Sequence, residues 1–147
     1  MRKLLVISCL IAFSSCQDIE DCGTNDEQRF MVLAFLDKET NGSKAVNFTI
    51  SSGSSLLFNV PDTSYTVIGL PLDPSSESLQ FQFDSLGTSV SYQLEVSYET
   101  QVSIFDEDCE PSFTFFNLDT ISYSFDSLSI PGTVTNRQIS TNVQVFF

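Results

Sequence analysis

Histidine and tryptophan are both missing from this 147-residue chain. Without histidine there is no Ser-His-Asp or Cys-His catalytic pair and no histidine-ligated zinc. Basic residues are scarce as well, six against 19 acids, for a net charge of −13. That is the wrong sign for binding nucleic acid, or for holding to anionic lipid by charge alone. Nor does any apolar run approach the roughly 20 residues a membrane-spanning helix needs. What remains is 41% hydrophobic and rich in phenylalanine, with 14 copies, at a length suited to one domain with a real core.

The N-terminus reads as an address. Met1-Arg2-Lys3 is basic, Leu4 to Phe13 is uncharged and apolar, and Ser14-Ser15 are small. That is the layout of a signal peptide. Cys16 follows at once, and the arrangement resembles the bacterial lipoprotein box, in which a peptidase cuts before an acylated cysteine. Phe13 departs from the leucine the box prefers at that place. The resemblance implies residues 1–15 as signal peptide, Cys16 as the lipid attachment site, and contact with the membrane through the N-terminal lipid. Acyl chains contribute about 0.8 kcal/mol per buried methylene, so two or three anchor a protein firmly. The alternative is an ordinary secretory signal cut after Ser14. Residues 16–28 carry five acids and one isolated isoleucine, the composition of a solvated tether. Acids directly after the cysteine also resemble the export signal of Bacteroidota lipoproteins that reach the outer face of the outer membrane.

Of four cysteines, Cys9 leaves with the signal and Cys16 takes lipid. Cys22 and Cys109 are then an even pair in an oxidising compartment, for which a structural disulfide is expected. It would close a loop of about 88 residues, for which chain entropy gives about 4–5 kcal/mol. Two free thiols are the alternative, and no C-x-x-C spacing supports a redox role.

Residues 29–147 alternate. Leu79-Phe81-Phe83, Val90 through Tyr98 at every second position, Ile121-Tyr123-Phe125 and Val143-Val145-Phe147 each predict a strand with one buried face. Phe30 to Leu36 is apolar throughout, which predicts a strand central in its sheet or covered on both sides. Asn41-Gly42 marks a turn before Val46-Phe48-Ile50. Shorter candidates are Leu56 to Val60, Tyr65 to Leu70, Val102 to Phe105 and Phe113 to Phe116, with all five prolines at strand ends or turns. No helical period appears beyond the signal. The expectation is an all-β fold: a single antiparallel β-sandwich of about 7–9 short strands with immunoglobulin-like architecture. A membrane barrel is disfavoured, because its strands need about 9–11 residues.

Cys16 and Cys22, the apolar strand from Phe30, Leu70-Pro71-Leu72-Asp73-Pro74 and the lone Cys109 together look like a family of short Bacteroidota lipoproteins of unknown function. The resemblance implies the anchor and a β-rich domain, and brings no activity. Asp106-Glu107-Asp108-Cys109-Glu110 would meet Asp18, Glu20 and Asp21 across the expected disulfide. Calcium accepts such oxygens, but the spacing matches no EF-hand or nonapeptide loop, so solvated acids with no metal or cofactor are expected. Asp84-Ser85-Leu86, Asp119-Thr120-Ile121 and Asp126-Ser127-Leu128 resemble the O-glycosylation signal of exported Bacteroidota proteins, at Ser85, Thr120 and Ser127. The bland reading is Asp-Ser and Asp-Thr turns. No histidine is present to activate any serine, and only Lys38 and Lys44 could serve as a lysine base. A carboxylate pair such as Asp106 and Asp108 would need a groove and a set separation, so no enzyme is expected. Two functions follow: a non-enzymatic envelope accessory or interaction module with a protein partner, or a ligand-binding lipoprotein that captures calcium or a glycan beside a transporter.

Overall fold

The computed structural model describes residues 30–59, 63–104, 111–135 and 141–147. Within them lie nine strands and no helix: β1 (Phe30–Leu36), β2 (Phe48–Ser52), β3 (Ser55–Phe58), β4 (Val67–Pro71), β5 (Ser78–Ser85), β6 (Ser91–Ser103), β7 (Ser112–Tyr123), β8 (Ser127–Ser129) and β9 (Val143–Phe146). They form two open sheets, ordered β4-β1-β9-β8 and β3-β2-β5-β6-β7. One core joins them. Met31, Leu33 and Phe35 face Phe48, Ile50, Phe81, Phe83, Leu94 and Val96, all buried. The apolar β1 is central in its sheet, as its sequence predicts.

The expectation of antiparallel pairing throughout is corrected at one place. β9 runs parallel to β1, with Leu33 opposite Val143 and Phe35 opposite Val145. Alternation fixes which face of a strand is buried but not its direction. Parallel neighbours need a long crossover, and the whole second sheet intervenes between β1 and β9. Every other ladder is antiparallel.

Two further expectations need correction on β6 and β7. Val102 and Phe113, read as parts of separate short strands, are instead the far ends of strands 13 and 12 residues long. And Ile121, expected on a buried face, is 56% exposed. The register of β7 against β6 slips twice. Glu95 pairs Ser122 but Val96 pairs Thr120, and Ser97 pairs Asp119 but Glu99 pairs Phe116. Each slip inserts one extra residue on β7, a bulge that reverses which parity faces inward. Phe115 is therefore buried at an odd position, Leu118 at an even one, and Phe125 at an odd one again. Asn117 sits in the first bulge at φ 52°, in the left-handed region that asparagine tolerates better than most residues. Val90, also expected on a buried face, is exposed because it lies in the β5–β6 turn.

Edges are managed. The Leu118 amide donates to the Thr133 carbonyl and the Thr135 amide to that of Phe115, so residues 133–135 cover the middle of edge strand β7. β3, β4 and β8 are short edges of 3–5 residues. Pro71 closes β4, Pro111 precedes β7, and Pro74 and Pro131 lie between strands, as expected; Pro61 is outside the described residues.

The turn at Asn41-Gly42 is held by Asp37. Its carboxylate accepts the Thr40 amide and hydroxyl, both at 2.9 Å, and the Glu39 amide at 3.2 Å. These bonds, led by the Thr40 amide, hold the Asp37 carboxyl below its ordinary pKa, with Lys44 adding a weaker attraction. A folded pKa below the unfolded value gives stability that is present above about pH 4 and lost as pH falls through the folded pKa. The stability difference between the natural chain and Asp37→Ala is therefore expected to be full at pH 6 and to shrink toward zero near pH 2. Urea melts at the two pH values check this, and a difference that grows on acidification would contradict it.

Candidate functional site

Two features of β6 and β7 come from the same local geometry. Beyond Ser97, β6 has outrun β5, whose first residue Ser78 pairs there. The strands continue as a two-stranded ribbon, with Thr100 opposite Phe115, Val102 opposite Phe113 and Ser103 opposite Ser112. Near its end Val102 is 54% and Ile104 71% exposed, while Phe113 packs back against the core. Ile104 is among the most apolar residue types and is the most exposed large apolar side chain among the described residues. A two-stranded ribbon with exposed β-branched side chains has no sheet neighbour to bury them.

At the root of the ribbon lies an open polar groove of about 770 Å³ between the 74–77 turn and the first bulge. Tyr98 builds it. The phenol donates to the Asp73 carbonyl at 2.9 Å and accepts the Asp73 amide at 3.2 Å, clamping the crossing between the two sheets onto β6. Its ring stands edge-on to Phe115 at 5.3 Å. Burial raises the Tyr98 pKa, and the neighbouring Asp73 adds to it, while the bond to the Asp73 backbone acts the other way. Asp73 itself is held below the ordinary carboxylate range by the hydroxyl and amide of Ser75. Around the rim, the Asn117 amide donates to Glu99 at 2.9 Å and Glu77 lines the wall.

The chemistry available in this groove is limited. It offers carboxylate and hydroxyl oxygens but no lysine or arginine. Because the Tyr98 ring is buried, it presents no aromatic platform for a sugar face. No group of three or more potential metal ligands occurs among the described residues. The clamp is structural, and its removal is expected to be modest: Tyr98→Phe leaves both polar groups of Asp73 without their phenol and costs about 1–2 kcal/mol. A chemical melt reads this. An unchanged midpoint would mean that water replaces the phenol.

Cys16, Cys22 and Cys109, and the acids Asp106, Glu107, Asp108 and Glu110, lie outside the described residues. The three Asp-hydroxyl-aliphatic positions are all half-buried. Ser85 stands opposite Phe48 and Thr120 opposite Val96, both on the core side of their sheet. Ser127 stands opposite Phe146, on the outer side of its sheet, since Val145 faces the core. Sequence reasoning missed the Tyr98 clamp and the projecting ribbon. The only sequence sign of the ribbon was the break in alternation around Asn117. No helix among the described residues is long and apolar enough to cross a membrane. Comparison with protein-family models, with curated proteins and with solved structures returns no match.

Proposed function

We propose that this chain is a non-enzymatic, lipid-anchored protein of the cell envelope, an accessory or interaction module held at the outer membrane through Cys16. The first sixteen residues support the anchor, and the acidic stretch 16–28 suits a tether. Nine strands divided between two sheets around one core support an immunoglobulin-like reading of the fold. In the mature protein a Cys22–Cys109 disulfide joins the tether to the domain.

The observation that carries the interaction reading is the exposed apolar end of the β6–β7 ribbon, with Val102 and Ile104 turned to solvent. Exposed β-branched side chains on a projecting ribbon suit a protein partner better than a soluble ligand. Cross-linking in intact cells, with Val102→Asp/Ile104→Asp as comparison, tests it. The natural chain is expected to give a discrete cross-linked complex that the double variant loses at an unchanged melting temperature. A complex that survives the double substitution would overturn the assignment of this surface.

A further inference from the structure

The other end of β6 holds a different kind of cleft. It opens where the β1–β2 connection, the β5–β6 turn and the end of β9 meet, with a volume of about 380 Å³. The half-buried rings of Tyr92 and Phe147 form an aromatic floor, 5.3 Å apart between centroids and backed by the buried Phe48 ring at 5.8 and 5.9 Å. Leu86 and Val90 line it from the β5–β6 turn, both exposed although apolar. That turn is fixed in place, since the Ser85 amide donates to the Val90 carbonyl and the Leu86 amide to that of Asn47. The Lys44 ammonium lies over the Phe147 ring, 5.3 Å from its centre.

Lys44 is unusual in this chain. Only two basic residues occur among the described residues, and the other, Lys38, pairs with Asp126 at 3.6 Å. Lys44 forms no ion pair with a described residue and only weakly attracts the Asp37 carboxylate, in a molecule whose net charge is −13. An ammonium over an aromatic face is partly shed of water and keeps donors to spare. A concave apolar floor with one convergent charged group is the usual form of a small-molecule site.

We infer that this cleft binds a small organic anion, a carboxylate with an aromatic or short aliphatic body. The body lies on Tyr92 and Phe147 under Leu86 and Val90, and the carboxylate accepts a charge-assisted hydrogen bond from Lys44. A cationic ligand of the same shape gains the apolar contact but meets Lys44 with like charge. The cleft and the ribbon end lie at opposite ends of β6, so this inference stands whether or not the ribbon docks a protein.

The test is an amide NMR titration of the full-length protein with 4-phenylbutyrate, with 4-phenylbutylamine as the isosteric cation. Saturable shifts at Lys44, Leu86, Val90 and Phe147 are expected with the acid, and no saturation with the amine. Lys44→Gln should weaken the acid about tenfold or more while the amide spectrum keeps its folded dispersion, since only surface contacts to Phe147 and Asp37 are lost with it. The inference is overturned if the acid gives no saturable shifts, if the amine binds as well, or if Lys44→Gln binds the acid with unchanged affinity.

Discussion

Asn142→Leu is expected to destabilise the domain by about 3–5 kcal/mol, more than most buried polar substitutions. Asn142 is 1% exposed and stands where β9 begins. Its Oδ1 accepts the Val32 amide at 2.9 Å, and its own amide nitrogen donates to the Val32 carbonyl. Its Nδ2 donates to the carbonyls of Val134 at 3.0 Å and Gly132 at 3.3 Å. One side chain thus extends the parallel β1–β9 ladder and ties it to the segment that covers the edge of β7. Gly132 permits this, since a Cβ there would approach the Thr141 carbonyl at 3.2 Å. Leucine has the same branching and the same number of heavy atoms but strands the Val32 amide and two carbonyls, and each stranded buried group costs about 1–3 kcal/mol.

Asn142→Asp makes the same point with a pH signature. The carboxylate keeps the acceptor but turns a second oxygen toward two carbonyl oxygens, so its folded pKa must rise above the unfolded value. The penalty is then small below about pH 4 and complete once pH exceeds the raised folded pKa. Urea melts across this range check both variants. A flat pH dependence for Asn142→Asp would show that its side chain has left the site.

Phe35→Ala is expected to cost about 3–5 kcal/mol. Phe35 is fully buried on the central strand β1, and its ring meets those of Phe48, Tyr65, Phe83 and Phe147 at 5.8 to 6.4 Å. Phe48 and Phe83 belong to the opposite sheet, Tyr65 to the β3–β4 connection and Phe147 to the residue after β9, so truncation opens a cavity between the sheets that neither alone can close. Phe30→Ala is the matched control. Phe30 is half-exposed at the start of the same strand, and its loss is expected to cost about 1 kcal/mol or less. Equal losses at the two positions would contradict the assignment of the core.

Much of this fold was legible because alternation survives wherever a strand is paired without interruption. Leu79, Phe81 and Phe83 lie opposite Val96, Leu94 and Tyr92, all facing the core as their spacing requires. The unbroken apolar run of β1 marked it as central for a physical reason: Val32 and Ala34, on the side away from the core cluster, are buried too. Bulges defeated the reading on β7, since an inserted residue leaves composition unchanged and reverses parity. Strand direction was equally out of reach, because side chains face the same way in parallel and antiparallel ladders. Of the candidate surfaces, only the scarcity of basic residues was legible in the sequence; what sets Lys44 apart is the Lys38–Asp126 pair, which the fold brings together. The cleft beneath it depends on three distant segments meeting, which no local pattern records.

The anchor is the centre of the functional reading, and metabolic labelling with an alkyne fatty acid tests it most directly. Cells producing the natural chain and Cys16→Ser are labelled, and the protein is recovered and probed for the alkyne. The natural chain is expected to carry the label and to partition into detergent, and Cys16→Ser to carry none and to remain as unprocessed precursor. An unlabelled natural chain recovered in the soluble periplasmic fraction would contradict the account.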